Sequence, residues 1–167
     1  MGITIVGLGP GHGRYLTRAA WDVLTEVGHI YVRTRRHPTI ADLPESIQIT
    51  SFDHYYESIP RFEDVYERIV ADLVALARAG DVVYAVPGHP LVGESTVTGL
   101  LAAAAGEAYA VNVVPGLSFL EPTLTAVHLD GLDGVQLVDA IDIARYEYPP
   151  LSPDTAVILG QVYSRLL

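Results

Sequence analysis

Short apolar runs alternate along this chain with longer stretches in which apolar positions recur every three to four residues. The runs are rich in β-branched residues and bounded by glycine or proline, which is typical of strands covered on both faces of a parallel sheet. The longer stretches have the period of amphipathic helices. The alternation predicts an α/β fold with a parallel sheet.

The pattern places individual elements. The predicted strands lie at residues 3–6, 29–32, 47–52, 81–86, 109–114, 132–143 and 155–162. Predicted helices begin at the N-cap Thr17, at residue 61, at Glu94 or Ser95, and after the N-cap Ser118, and they end near residues 28, 78, 104 and 127. Residues 53–57 and 146–153 are predicted to be loops.

The stretch at residues 80–96 predicts a strand, a tight turn and a helix. The turn holds two prolines and two glycines, more than a plain connection between a strand and a helix needs. In an open α/β sheet, ligands bind outside the carboxyl ends of the strands, and glycine lets backbone approach a ligand closely. We expect a ligand site at this turn, with a plain connection as the alternative.

Length and composition limit the organisation of the chain. Its 167 residues, 50% of them hydrophobic, suit one complete domain or one complete and one partial domain. We predict an N-terminal α/β domain at residues 1–114 and an incomplete second α/β domain at residues 115–167. The chain has neither an uncharged apolar run of membrane-spanning length nor a charged and apolar leader, so no membrane partner and a cytoplasmic location are expected.

Two residue types are absent. The lack of cysteine excludes a thiolate nucleophile and a Cys-ligated zinc, and we expect no metal site. The lack of lysine excludes a Walker-type phosphate loop and a Schiff base. A formal net charge of -10 argues against nucleic-acid binding, so any anionic ligand must be bound by local arginines.

Glycine-rich and arginine-rich segments follow the first two predicted strands. Glycines at 7, 9, 11 and 13 suggest a dinucleotide fingerprint, but His12 stands where that motif needs glycine. Arginines replace the acidic residue expected at the end of the second strand. These arginines, Arg33, Arg35 and Arg36, either grip carboxylates or phosphates through guanidinium forks or form a solvated basic turn.

Three motifs in this order resemble the tetrapyrrole (corrin/porphyrin) methylases, which transfer a methyl group from S-adenosylmethionine. The motifs are Val-Gly-Leu-Gly-Pro-Gly at 6–11, Pro-Gly-His-Pro-Leu-Val-Gly at 87–93 and Val-Val-Pro-Gly-Leu-Ser at 113–118. Residues 29–38, 50–55 and 84–90 look most like the methylase-like domain that precedes a MazG-type nucleoside triphosphate pyrophosphohydrolase domain. The resemblance implies such a domain as a possible partner in a longer protein.

The resemblance also implies two α/β domains, S-adenosylmethionine in the cleft between them, and a homodimer. Carried over by motif, the cofactor contacts are Pro10, Pro87, Gly88, His89, Val92, Ser118, Phe119 and Gly160. His89 stands where the family commonly has aspartate, so the acidic contact to the cofactor is either lost or replaced by an imidazole. Family members continue through most of their second domain, so the resemblance implies that this one is incomplete.

Several functions stay open. The first is methyl transfer to a tetrapyrrole-like or other small anionic substrate, whose acid groups would bind Arg14, Arg33, Arg35 and Arg36. The second is a non-catalytic or regulatory S-adenosylmethionine-binding module that serves the pyrophosphohydrolase, and the third is methylation of RNA or protein. Methyl transfer needs alignment rather than a protein nucleophile. If a base is needed, the candidates are His12, His89, Tyr55 and Tyr56, and we assign none of them.

Overall fold

The computed structural model of the chain describes residues 1–105 and 109–162. It divides into two compact units, Met1–Phe119 and Leu120–Leu167. The predicted domain boundary between residues 114 and 115 lies at the start of the turn after the fifth strand, and the units divide after that turn.

The first unit is built on a five-stranded parallel sheet, which confirms the predicted α/β fold. Its strands are β1 (Gly2–Gly7), β2 (His29–Val32), β3 (Gln48–Ser51), β4 (Val82–Val86) and β5 (Ala110–Val114). They lie in the order β3-β2-β4-β1-β5. The helices are α1 (Arg18–Glu26), α2 (Asp53–Ser58), α3 (Phe62–Ala79) and α4 (Ser95–Ala104).

The sheet is covered on both faces because successive side chains of each strand point to opposite sides. Ile3 and Ile5 of β1 are buried in a core with α3 and α4. Val6 of the same strand is buried on the other face, in a core with α1. Helix α1 begins where the sequence predicted, since the hydroxyl of Thr17 accepts the backbone N–H of Ala20 at 3.1 Å.

After the neighbouring strands β1 and β4, the chain continues on opposite faces of the sheet. The connection after β1 passes through α1 to β2, whereas the connection after β4 passes through α4 to β5. Such a reversal opens a crevice at the carboxyl ends of the two strands, where open α/β folds bind their ligands. The topology therefore identifies the ends of β1 and β4 as the place to examine.

The second unit contains a parallel pair of strands, β6 (Val135–Asp139) and β7 (Ala156–Gly160). Its helices are α5 (Leu120–Val127) and α6 (Ala140–Ile143). The register opposes Leu137 to Ile158 and Val138 to Leu159, so Leu137 and Leu159 lie on different faces of the pair. Both leucines are exposed, at 43% and 47%. Within the described ranges of the whole chain, every helix is too short or too polar to cross a membrane.

Two local predictions are wrong. Residues 53–57, predicted to be a loop, lie in helix α2, because Tyr55 and Tyr56 pack against the core and stabilise a turn too short to show a period. The predicted strand at residues 132–143 is divided into a 3-10 turn, strand β6 and helix α6. The side chain of Asp139 ends the strand by accepting the N–H of Ile141 at 2.7 Å and capping α6.

Candidate ligand site at the carboxyl edge of the sheet

The turns after β1 and β4 are joined by backbone hydrogen bonds. The N–H of Gly88 donates to the carbonyl of Gly9 at 2.9 Å, and the N–H of Gly9 donates to the carbonyl of Gly88 at 3.2 Å. This isolated antiparallel bridge stands between two otherwise parallel strands. The two turns therefore form one connected rim at the crevice.

Three glycines from adjacent turns lie against one another at this rim. A Cβ atom on Gly7 would stand 2.6 Å from both the Gly116 nitrogen and the Gly88 oxygen. A Cβ atom on Gly116 would stand 2.5 Å from the Gly88 oxygen. These distances are below any real carbon contact, so the ends of β4, β1 and β5 can meet only because Gly7 and Gly116 lack a side chain.

Gly88 presents bare backbone to open space at the point where the turns converge. It has a φ of +65°, and a Cβ there would meet only the Ser118 Cα, at 4.0 Å. Ser118 is buried, and the neighbouring Phe119 is exposed. The hydroxyl of Thr17 donates to the carbonyl of Pro115 at 3.0 Å and joins the turn after β5 to the start of α1.

The eight residues expected to contact a cofactor fall into two groups. Seven of them belong to the first unit, where they lie on or beside the three turns: Pro10, Pro87, Gly88, His89, Val92, Ser118 and Phe119. Gly160 ends β7 in the second unit. The first unit thus brings residues of all three motifs to one edge of the sheet.

His89 shapes the turn after β4. Its Nδ1 accepts the N–H of Leu91 at 3.0 Å, and its carbonyl accepts the N–H of Val92 at 3.0 Å. Aspartate commonly accepts a backbone N–H two residues on in this way. The imidazole of His89 therefore performs at this turn the local structural task of a carboxylate without its negative charge.

Arg33, expected to bind substrate, is engaged inside the protein. Its Nη1 is hydrogen-bonded to Glu94 Oε1, and its Nε donates to the Tyr56 hydroxyl at 2.9 Å. The guanidinium lies 5.9 Å from the ring centroid of Tyr56 and 5.5 Å from that of Tyr66. The ion pair is shielded, since 22% of the Arg33 side chain and 3% of the Glu94 side chain are exposed.

The surroundings of this pair are polar and largely shielded from water. Burial raises the pKa of the Glu94 carboxyl above its usual value, and the Arg33 guanidinium opposes that rise. The second oxygen of Glu94 lies 3.5 Å from the Thr96 hydroxyl, which is 3.1 Å from the hydroxyl of Tyr84. Burial raises the pKa of that tyrosine, so it stays a neutral member of the network.

The other three arginines of the predicted substrate site lie at the surface. Arg35 uses one Nη to donate to the carbonyl of Ile49, and Arg36 lies 3.5 Å from Glu57 in an exposed pair. Arg14 is exposed, and its backbone N–H donates to Nδ1 of His12 at 3.1 Å. The structure therefore separates Arg33, which is largely shielded by its partners, from a set of three exposed arginines.

The candidate bases have partners within the fold. The Tyr55 hydroxyl donates to Asp72, the Tyr56 hydroxyl accepts from Arg33, and the Nδ1 atoms of His12 and His89 accept backbone N–H groups. These contacts give each side chain a structural task and assign no base. Within residues 1–105 and 109–162, no three metal-ligating side chains come together.

The sequence alone does not indicate the contributions of Glu94, Tyr66 and Asp53. It predicts Glu94 only as a possible helix start, and the fold shows that Glu94 pairs with a residue 61 positions away. Asp53 accepts the Thr34 hydroxyl at 2.6 Å and the Arg35 N–H at 2.8 Å, which fixes the basic turn after β2. The weak signals in the sequence are an acidic residue directly after the glycine- and proline-rich turn and an acidic residue directly after a predicted strand.

One protein family matches almost the whole chain. The family described as Tetrapyrrole (Corrin/Porphyrin) Methylases matches residues 2–166. A Bacillus subtilis (strain 168) relative, the uncharacterized protein YabN, is 42% identical over 165 residues. The match covers 98% of this chain and 33% of the relative, so the chain spans about a third of that protein's length.

Solved structures of methyltransferases share the fold. A uroporphyrin-III-C-methyltransferase from Thermus thermophilus is 25% identical with a TM-score of 0.66, covering 95% of this chain and 67% of that one. A structure of that enzyme complexed with S-adenyl homocysteine is 25% identical with a TM-score of 0.54, covering 83% and 55%. The methyltransferase CobJ, 18% identical with a TM-score of 0.61 over 87% and 58%, is similar in fold.

Proposed function

The chain belongs to the tetrapyrrole (corrin/porphyrin) methylase family, and we therefore propose that it binds S-adenosylmethionine at the rim formed by the turns after β1, β4 and β5. The protein then transfers the methyl group of this cofactor to a small anionic acceptor. One observation carries the proposal. Gly88 presents bare backbone to open space where the three turns converge. A related methyltransferase has been solved with S-adenyl homocysteine, which supports the same ligand class here.

The residues at the rim suit this chemistry. When bound, S-adenosylmethionine supplies an electrophilic methyl group on a sulfonium. Transfer needs the acceptor and the methyl group held in line rather than a protein nucleophile, so a chain without cysteine or lysine can perform it. The glycine turns give the ligand close access to backbone, and exposed Phe119 offers an apolar ring beside buried Ser118.

The acceptor is proposed to be a tetrapyrrole-like polycarboxylate or another small anion. Because the chain carries a net charge of -10, only a local group of arginines can attract such a molecule. Arg14, Arg35 and Arg36 are exposed and remain the proposed contacts. Each guanidinium to carboxylate contact contributes about 1.5 to 3 kcal/mol when shielded from water and close to nothing when exposed.

The test is to titrate S-adenosylhomocysteine by calorimetry into the wild type and into Gly88→Val. The added side chain fills the open space, and a β-branched residue is strained at positive φ. We expect affinity to fall at least roughly tenfold, a loss of about 1.4 kcal/mol. Should Gly88→Val fail to fold, Gly88→Asn fills the same space and tolerates that φ.

The matched control is Gly28→Val, because a Cβ atom on Gly28 meets nothing within 4 Å and its φ is not positive. Gly28 precedes β2, at the opposite edge of the sheet from the turns. This variant should bind as the wild type does. Unchanged affinity in a folded Gly88→Val protein, or no binding by the wild type, would remove the proposed cofactor site.

The second candidate is a non-catalytic or regulatory S-adenosylmethionine-binding module within a larger protein, with a nucleoside triphosphate pyrophosphohydrolase as its expected neighbour. The observation that favours it is that a relative 42% identical has about three times the length of this match. Cofactor binding without methyl transfer to any tetrapyrrole carboxylate would support the module. The homodimer and the cytoplasmic location stay predictions.

A further inference from the structure

We infer that Arg33 and Glu94 are positioning residues that hold residues 87–93, the turn after β4, in the shape that receives the cofactor. The inference rests on the proposed function for the identity of the ligand, but not for the role of the pair in the turn. It removes Arg33 from the predicted substrate site and gives it a task at the cofactor site.

Backbone hydrogen bonds hold the turn at its start, and an ion pair holds it at its end. At its start, Gly88 exchanges two backbone hydrogen bonds with Gly9, at 2.9 and 3.2 Å. At its finish, Glu94 directly follows Gly93 and is joined through its carboxylate to Arg33 at the end of β2. Between these two attachments lie His89 and Val92, both expected to contact the cofactor, and Pro87 stands directly before the first attachment.

Arg33, the partner of Glu94, is itself held by contacts with several elements of the fold. Arg33 continues the sheet, since its N–H donates to the carbonyl of Ala85 at 3.0 Å. Its guanidinium reaches Tyr56 of α2 and Tyr66 of α3, which limits the positions that the planar fork can take. The Glu94 carboxylate, of which 3% is exposed, stays beside the Arg33 guanidinium, because separating the pair would leave a buried charge without a partner.

The geometry disfavours a direct contact between Arg33 and an anionic substrate. Its Nη1 and Nε already donate to Glu94 and Tyr56, and its Nη2 lies 3.5 Å from the Tyr66 hydroxyl. A substrate carboxylate would also meet the negative charge of Glu94. The pair instead connects the end of β2 to the end of the turn and to the start of α4, because Glu94 is also the N-cap residue of α4.

The experiment measures amide hydrogen exchange in the ligand-free chain, comparing the wild type with Arg33→Met. The reporters are the N–H groups of Leu91, Val92 and Val97, which are hydrogen-bonded to His89 or Glu94 at 3.0 to 3.1 Å. We expect their protection to fall roughly tenfold or more relative to the amide of buried Ile69 in α3. Affinity for S-adenosylhomocysteine should fall with it.

The matched control is Arg68→Met. Arg68 has the same kinds of partner, a tyrosine hydroxyl at 3.3 Å, a tyrosine ring at 5.9 Å and a carboxylate at 3.7 Å, but 60% of its side chain is exposed on α3. The Arg68→Met variant should leave amide hydrogen exchange at the turn unchanged. The double variant Arg33→Met with Glu94→Leu removes the charges and restores a filled space, so it should recover much of the protection that Arg33→Met loses.

The outcomes separate the hypotheses. Unchanged exchange at the turn in a folded Arg33→Met protein overturns the positioning role. Affinity for S-adenosylhomocysteine that falls while exchange stays unchanged also overturns it, because Arg33 would then contact the ligand itself. If the wild type binds no S-adenosylhomocysteine, the proposed function fails, yet the exchange measurement still decides whether the pair holds the turn.

Discussion

At the scale of single residues, two histidines at the sheet edge perform a task usually given to aspartate or asparagine. His12 and His89 each use Nδ1 to accept the N–H of the residue two positions on, at 3.1 and 3.0 Å. An imidazole can do this only with a lone pair on Nδ1, which places its hydrogen on Nε2. Nitrogen Nε2 of His89 is therefore a donor at the start of the turn.

His37 predicts a dependence of stability on pH. Its Nδ1 is buried without a hydrogen-bond partner in the part of the chain that the structure describes. Burial lowers the pKa of His37, although a hydrogen bond with the Gly9 backbone opposes the effect. The unfolded chain, where histidine titrates near pH 6.5, therefore takes up a proton that the folded chain resists.

We therefore expect the free energy of unfolding of the wild type to fall as the pH drops from about 7.5 to about 5.5, and to fall less in His37→Gln. Urea denaturation at several pH values measures both slopes. Equal slopes for the two proteins would contradict the assignment to His37.

At the scale of elements, helix α2 matters because it fixes the basic turn after β2. Asp53, in the first turn of α2, accepts the hydroxyl of Thr34 and the N–H of Arg35. Burial raises the pKa of Asp53, but hydrogen bonds from Thr34, Arg35 and Ser51 outweigh it and lower the pKa below the usual value. The carboxylate thus stays charged beside the exposed arginines.

Removing this carboxylate in Asp53→Ala should lower the free energy of unfolding by about 1 to 2 kcal/mol, because the Thr34 hydroxyl, the Arg35 N–H and Ser51 lose their acceptor. The control is Asp22→Ala, whose pair with Arg18 at 2.7 Å is exposed and should be worth less than about 0.5 kcal/mol. Urea denaturation compares the two variants. A loss in Asp53→Ala no larger than that in Asp22→Ala would show that α2 does not depend on this contact.

The same elements show how far the sequence predicts the structure. Strand β2 lies at the predicted residues 29–32, and α3 lies within one residue of the predicted 61–78, because both have a strong hydrophobic pattern. The convergence of the turns also followed from the sequence, since parallel strands end at one edge. The partner of Arg33 and the bridge between Gly9 and Gly88 did not, because both depend on contacts between distant segments.

At the scale of the whole molecule, the pair of strands β6 and β7 carries exposed apolar side chains on both faces. Parallel strands are almost always covered, and exposed strand edges favour pairing with another chain. We expect a second copy of the chain to cover this surface, so light scattering at micromolar concentration should give a dimer. A wild-type monomer would contradict the prediction.

Leu159→Arg, which places a charge on one face of the pair, should shift the dimer toward monomer. The control is Leu101→Arg on α4, where the leucine is similarly exposed, at 39% against 47% for Leu159. The Leu101→Arg variant should leave the mass measured by light scattering unchanged. The comparison is made near 0.15 M salt, where the Debye length of about 8 Å limits repulsion between chains of net charge -10.

The position of β1 inside the sheet has a consequence for synthesis. The strand pairs with β4 on one side and β5 on the other, with Gly2 opposite Ala110. At about 5 to 20 residues per second, the ribosome needs on the order of ten seconds after making β1 to make both partners. Until β4 is made, Ile3, Ile5 and Val6 have no neighbouring strand to pair with, and one side of β1 stays unpaired until β5 follows. A strand made early and paired late gives chaperones and proteases their longest opportunity, and faster translation would shorten it.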